Sequence, residues 1–264
     1  MSFLNKVVLI TGASSGFGEA IAINFAKLSA TLSLIDINGE NLDKCAIQCK
    51  NLNGGKVLKH AIDLRNDELV QKVVNITVEE FGKIDVVINC AGIFEKCHGN
   101  ILDPKAMQNF DSVLAVNLRA LVRVTNCAAP ALIKSKGCII NIGSISGSVA
   151  SSSAFFYNIS KSAVSHFTKC VALELAPYGV RANAILPGGA KTNLLINSGI
   201  SLDNNDSFWE LMKGSAPLKR LIEPKDIADM AIYLASDSAK NITGSDFKVD
   251  SGLTLCSFEI PEIE

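Results

Sequence analysis

Apolar and polar positions along this chain follow two alternating rhythms. Short runs rich in Val, Ile and Leu ("KVVLIT", "LSLID", "KVLKHAID", "IDVVIN", "GCIINIGS" and "RANAILPG") read as buried strands, and "DFKVDSG" supplies a last one. Between them, apolar residues recur at helical spacing in "FGEAIAINFAKLS", "NLDKCAIQCKNL" and "DELVQKVVNITVEEFG". A long helix is predicted from about Pro104 to Lys134, another from Tyr157 to about Ala176, and "EPKDIADMAIYLAS" forms one after Glu223. Strands and helices in alternation, joined by right-handed crossovers, predict an α/β fold: a doubly wound parallel sheet with helices on both faces. No linker, repeat or low-complexity tract interrupts the pattern, so residues 1–264 are read as a single domain. The stretch at about 191–217 breaks the rhythm, carries the only tryptophan, Trp209, and is too long for an ordinary connection. It is read as a substrate-binding loop or lid, with a packed irregular excursion as the plain alternative.

Charge and cysteine usage narrow the partner. With 25 basic and 26 acidic residues and no basic block, nothing draws the chain to nucleic acid or an anionic membrane, so the expected partner is a small molecule. The first apolar run is too brief for a signal sequence and no later run approaches a membrane span, which leads us to expect a soluble cytoplasmic protein. The eight cysteines form no C-x-x-C pair and the three histidines lack metal-ligand spacing, so no metal is expected and the cysteines are read as reduced thiols. The N-x-S/T matches at Asn75, Asn158, Asn205 and Asn241 are then fortuitous.

Two clusters carry chemistry. After the first strand, "TGASSGFG" sets Gly12, Gly16 and Gly18, with Ser14, Ser15 and Phe17 between them, ahead of a helical pattern. Glycine lets a pyrophosphate approach the backbone, and the helix N-terminus offers N–H groups and positive potential. Asp36, at the end of "LSLID", can accept hydrogen bonds from adenosine ribose hydroxyls and would repel a 2'-phosphate, and no basic residue follows it. This predicts NAD over NADP; the plain alternative is a turn aspartate. The second cluster is "FFYNISK", where Tyr157 and Lys161 share one helix face. A cation there favours phenolate and brings the phenol toward proton exchange at neutral pH, although an isolated pair of this spacing is also a common surface feature.

The glycine turn, Asp36, "NCAG" and Y-x-x-x-K, in this order, resemble the short-chain dehydrogenase/reductase family over about Lys6 to Gly252. The resemblance implies a Rossmann-type fold and a set of site residues. Ser144 would bind the substrate oxygen, Tyr157 act as general acid/base, Lys161 lower its pKa and hold the nicotinamide ribose, and Asn117 order a water behind that lysine. It implies further that Asp63 and the Leu64 backbone bind adenine, that Asn89, Ala91 and Gly92 stand at the end of the fourth strand, and that Pro187, Gly188, Ala190 and Thr192 surround the nicotinamide carboxamide. Cys90, Phe17 and Ala190 depart from the family pattern. Cys90 replaces an asparagine amide, which puts support for the fourth strand in doubt. The long helices at 104–134 and 155–176 would pack against symmetry mates in a homodimer or homotetramer.

The expected reaction is NAD-dependent interconversion of a secondary alcohol and a ketone. Ile93, Phe94, Val149, Ala150, Phe155, Leu186, Leu194, Leu195 and Trp209 fall in stretches that can line an apolar pocket, suggesting a steroid, prenoid or other lipid-like substrate. His98 and His166 have no placed partner and are read as structural or exposed. Two other readings stand: a 3-oxoacyl thioester reductase, usually NADPH-dependent and disfavoured by Asp36, and a catalytically silent nucleotide-binding regulatory protein, disfavoured because serine, tyrosine and lysine are all present.

Overall fold

The computed structural model describes residues 2–53, 56–94, 101–150, 154–194 and 206–255. Its strands are β1 (Val7–Thr11), β2 (Thr31–Asp36), β3 (Val57–Ala61), β4 (Val86–Asn89), β5 (Cys138–Ile142), β6 (Arg181–Pro187) and β7 (Asp246–Val249). They form one seven-stranded sheet in the order β3-β2-β1-β4-β5-β6-β7. Every neighbouring pair is parallel. The helices are α1 (Gly16–Lys27), α2 (Gly39–Asn53), α3 (Asp67–Phe81), α4 (Ala106–Leu114), α5 (Leu121–Ser135), α6 (Phe155–Leu175), α7 (Asp206–Ser215) and α8 (Pro224–Ala235).

Alternation along each strand explains why the strands are apolar throughout. Val8 and Ile10 of β1 pack with Ile21, Phe25, Leu42 and Leu234 in a layer built on α1, α2 and α8. Leu9 points the other way, into a layer with Val70, Val74, Val124, Leu132 and Val171 from α3, α5 and α6. Each such fully buried aliphatic side chain contributes about 1.5–3 kcal/mol. Helix ends are set by local chemistry. The Asn66 side chain caps α3 by accepting from Glu68 N–H at 3.1 Å and Leu69 N–H at 3.0 Å, and Gly82 ends the helix at φ 78°.

The structure corrects one sequence expectation. The helix predicted from about Pro104 to Lys134 is interrupted by a π-helical segment, Ala115–Ala120, which separates α4 from α5. Asn117 lies inside it. A segment of this kind carries an extra residue and re-aims the side chains it holds.

Strand order reverses between β1 and β4, so a crevice opens at their carboxyl ends, where doubly wound sheets bind ligands. The opposite end of the same two strands is joined by Asp85, which is 5% exposed. Its carboxylate accepts from Val7 N–H at 2.8 Å and pairs with Lys6 at 3.4 Å and Lys83 at 3.0 Å. Asp85→Ala leaves the buried Val7 N–H without its acceptor, at an expected cost of about 1–3 kcal/mol in urea denaturation. Asp85→Asn keeps a carbonyl acceptor and should cost less; equal losses would assign the effect to charge pairing.

Candidate active site

The glycine turn has the shape that a bound pyrophosphate requires. Gly12 and Gly16 adopt φ of 69° and 56°, and a Cβ on Gly12 would stand 2.8 Å from the Ala91 backbone. At Gly18 a Cβ would come within 2.0 Å of the Gly12 carbonyl oxygen. Ser15 makes no side-chain bond to the first turn of α1, so that helix start is not capped by its own N-cap residue. Thr11 joins the turn to β4: its Oγ1 accepts from Cys90 N–H at 3.1 Å and Ala91 N–H at 3.2 Å. These features fit a dinucleotide cradle, and Asp36 stands at its rim. One oxygen of Asp36 accepts from Ser14 N–H at 3.0 Å, the other from Asn38 N–H at 2.9 Å.

The expected adenine contacts are only partly set. Leu64 is buried, but both oxygens of Asp63 are engaged by the Arg65 guanidinium, which holds the Asp63 carboxyl below its usual range. Arg65, as a partner for Asp63, was not anticipated from the sequence. On the other side of the crevice, Pro187 ends β6 and Gly188 donates its N–H to the Val249 carbonyl at 2.9 Å. Thr192 lies over the glycine turn, its Cβ 3.5 Å from where a Cβ on Gly16 would stand. Ala190 and Phe17 both pack against the core layer of α1 and α8, which makes them packing changes within the motif.

Tyr157 and Lys161 sit one turn apart on the inward face of α6, 7% and 4% exposed. Burial pushes the Lys161 ammonium down to about 8. Its Nζ donates to the Ile142 carbonyl at 2.8 Å and lies 5.6 Å from the Tyr157 ring centroid. The Phe94 ring packs on Tyr157 at 5.0 Å with a 39° tilt. Ser144 stands two residues after the end of β5 and its Oγ accepts from Ser146 N–H at 3.1 Å. Close packing of the next turn against α6 holds this segment in place, because a Cβ on Gly147 would stand 2.7 Å from the Lys161 backbone. Asn117 completes the group: its Oδ1 accepts from Ile93 N–H at 2.8 Å, and its Nδ2 donates to the Ile93 carbonyl at 2.9 Å and to Ser160 Oγ at 3.0 Å. Ser144, Tyr157, Lys161 and Asn117 are thus brought to one end of β4 and β5.

A second polar ladder runs beneath. Asn89 Nδ2 donates to Thr125 Oγ1 at 3.1 Å and to Asn141 Oδ1 at 2.8 Å, and Asn141 Nδ2 donates to Thr168 Oγ1 at 2.9 Å. β4 is therefore tied to α5, β5 and α6 without an amide at position 90. Burial pushes the Cys90 thiol up to about 12, so it stays protonated beside Lys161. Cys45 and Cys49 are buried free thiols, and no metal-binding cluster occurs among the described residues.

The apolar residues assigned to a pocket separate on inspection. Leu186 is 1% exposed and meets Gly143, so it belongs to the core. Ile93, Phe94, Phe155 and Leu194 are half-buried, whereas Val149 and Ala150 are exposed. Trp209, on α7, is buried, with Lys191 Nζ 5.9 Å from its ring. His166 is exposed. Leu195, His98, Asn205 and the 195–205 part of the proposed lid lie outside the described residues. Thr11, Phe94 as a partner of Tyr157, the Ile93 backbone, the Ile142 carbonyl and Ser160 were not singled out by sequence motifs.

Comparison with known proteins extends across nearly the whole chain. A family model described as enoyl-(acyl carrier protein) reductase matches residues 12–254. Meso-2,3-butanediol dehydrogenase of Serratia marcescens is 35% identical over 254 residues, 96% of each chain. The 3-oxoacyl-(acyl-carrier-protein) reductase FabG of Thermotoga maritima is 33% identical, covering 97% of this chain and 100% of that one. Among solved structures, levodione reductase superposes with a TM-score of 0.90 at 30% identity, over 97% of this chain and 100% of that one. A 3-ketoacyl-(acyl-carrier-protein) reductase of Brucella melitensis, complexed with NADH, gives 0.83 at 32% identity, over 96% and 100%.

The lowered Lys161 value has a measurable consequence. The folded protein holds this ammonium below its ordinary value of 10.5, so between about pH 8 and 10.5 the unfolded chain binds more protons and stability rises with pH. The penalty is fully present below pH 8. Wild type should therefore gain about 2 kcal/mol on Lys161→Met between pH 8 and pH 10 in paired denaturation curves. A difference that does not change with pH would mean that Lys161 is not desolvated.

Proposed function

Because the chain belongs to the short-chain dehydrogenase/reductase family and so is an oxidoreductase of alcohol and ketone groups, we propose that it uses NAD to interconvert an apolar secondary alcohol and its ketone. The observation that carries this reading is the buried Tyr157–Lys161 pair, with Lys161 Nζ fixed on the Ile142 carbonyl beside the phenol ring. In oxidation, Tyr157 takes the hydroxyl proton of the alcohol; in reduction, it returns one to the forming alkoxide. Lys161 favours phenolate by its charge. Ser144 Oγ accepts from Ser146 N–H, which leaves the hydroxyl proton for the substrate oxygen. When bound, the nicotinamide would supply or accept a hydride, a hydrogen with its electron pair, at the substrate carbon.

Gly12, Ser14, Ser15, Gly16, Phe17 and Gly18 would line the pyrophosphate, and Asp36 the adenosine ribose. Leu64, Asn89, Ala91, Gly92, Pro187, Gly188, Ala190 and Thr192 would line the rest of the cofactor. Asp63 reaches adenine only if it exchanges or shares its Arg65 contact. The preference for NAD rests on Asp36, since a 2'-phosphate would meet its carboxylate. Phe94 against Tyr157 supports an apolar substrate, and α7 with Trp209 supports the 191–217 stretch as a lid. We assign the protein to the cytoplasm; no described helix is long and apolar enough to cross a membrane. Exposed Val122 on α5 and Ile159 and Leu173 on α6 support a homodimer or homotetramer formed through these helices.

A second reading is favoured by the likeness to FabG: reduction of a 3-oxoacyl thioester. The same residues would serve it. A catalytically silent regulatory role is disfavoured by the intact polar set.

NADH formation from NAD and NADPH formation from NADP, measured over a panel of secondary alcohols including steroids, separate these readings. Wild type should turn over with NAD, and Tyr157→Phe should lose at least about a hundredfold in kcat while still binding NADH. Preference for NADP with 3-hydroxyacyl thioesters would favour the second reading. Turnover by Tyr157→Phe at the wild-type rate would overturn the catalytic assignment.

A further inference from the structure

Ser160 stands between the two side chains that the proposed reaction needs held still, and the chemistry of its hydroxyl decides what it can do there. It is fully buried on α6, in the turn that carries Tyr157 and Lys161. Its Oγ donates to the Tyr157 carbonyl at 2.7 Å. A serine hydroxyl has one proton, so toward every other partner Oγ can only accept. The partner it accepts from is Asn117 Nδ2 at 3.0 Å.

The Asn117 amide is thereby almost fully assigned. Both of its N–H groups are used, one on the Ile93 carbonyl and one on Ser160, and Oδ1 accepts from Ile93 N–H. One acceptor direction remains on Oδ1. A Cβ built on Gly92 would lie 3.5 Å from Asn117 Oδ1 and 3.5 Å from Lys161 Nζ, so the two atoms face one small gap over that glycine.

We infer that Ser160 is a positioning residue, a hydrogen-bonded brace between the π-helical turn that bears Asn117 and the catalytic turn of α6, which keeps Asn117 Oδ1 turned toward Lys161. The Ile93 backbone holds one edge of the amide and Ser160 takes the remaining N–H, so the brace adds a directional tie between the π-helical segment and α6. Without the hydroxyl, one buried amide N–H loses its acceptor, and the π-helical turn loses its directional tie to the catalytic turn of α6. With only its Ile93 edge held, the amide no longer fixes Oδ1 against α6 at the gap over Gly92. A donor at Lys161 then loses an ordered hydrogen-bond acceptor, and proton exchange at Tyr157 slows.

This inference rests on the dehydrogenase reading, and the experiment keeps the two apart. Ser160→Ala, Ser160→Thr and Tyr157→Phe are compared with wild type for kcat, KM, the solvent deuterium isotope effect on kcat, and NADH binding, with rates expressed per NADH-binding site. Ser160→Ala should lose about tenfold in kcat through misplacement of the amide, with KM and NADH affinity within about twofold of wild type and a larger isotope effect. Ser160→Thr, which keeps the hydroxyl, should recover most of the rate. If the alanine variant does not fold, Ser160→Cys preserves the volume, weakens the acceptor and should show the same change to a smaller extent. Wild-type kcat and isotope effect in Ser160→Ala, with Tyr157→Phe inactive, overturn the role of Ser160 alone. A fall in kcat that Ser160→Thr does not recover, or one matched by lost NADH binding, assigns Ser160 to folding and overturns it too. Full turnover by Tyr157→Phe overturns the reading beneath it.

Discussion

A charge buried where the sheet changes direction is the constraint on which the rest of the site depends. Lys161 is 4% exposed, and the cost of removing its ammonium from water is what moves it down to about 8, equivalent to about 3 kcal/mol between its two protonation states. Among the described residues nothing acidic is paired with it directly; its hydrogen-bond partner is the neutral Ile142 carbonyl. A carboxylate there would neutralise the field that acts on the phenol, whereas a carbonyl holds the ammonium and leaves its charge unspent. Two extensive apolar layers offset the penalty, and both are drawn from the same strands that end at the site.

Apolar packing alone would not place α6 accurately, because it has no direction. The two polar ladders supply direction. Asn89, Asn141 and Thr168 fix the middle of α6 to β4 and β5, while Asn117 and Ser160 fix its first turns to the π-helical segment. Buried and paired, such groups contribute modestly to stability and strongly to uniqueness, since any shift leaves several of them unsatisfied at once. They also explain why Cys90 is tolerated. β4 is held by Asn89 from the side and by Thr11 at its end, so the side chain at position 90 has only to fill space beside Lys161.

The sheet and most helices were legible in the sequence because period and burial are local properties, and strands buried on both faces leave uninterrupted apolar runs. The glycine turn, Asp36 and the Tyr157–Lys161 spacing were legible for the same reason: each is a local arrangement of near neighbours in the chain. The extra residue of the π-helical segment was not, because it shifts the register of a helix without removing its amphipathic pattern, and nothing between Pro104 and Lys134 marks the interruption. Leu186 illustrates a different limit. Its place in a motif next to the site suggested a pocket wall, whereas the lack of a side chain at Gly143 lets it pack inward. Thr11, Ser160 and Arg65 are ordinary residues whose importance comes from partners distant in space or chosen by loop geometry, and no spacing rule announces them.

Under the proposed preference for NAD, Asp36 would carry selectivity and scaffolding in one side chain. Its carboxylate is held by Ser14 N–H from the glycine turn and Asn38 N–H from the start of α2, so the group that would meet the adenosine ribose also ties β1 to β2. Replacing it with a small neutral residue would remove repulsion toward a 2'-phosphate, yet it would also release Ser14 in the segment that cradles the pyrophosphate. Altering the proposed preference would therefore require two changes at once: a cation to meet the added phosphate, and a new acceptor for the Ser14 amide. The exposed Ile37 is where such a cation would stand, and its aliphatic side chain offers neither.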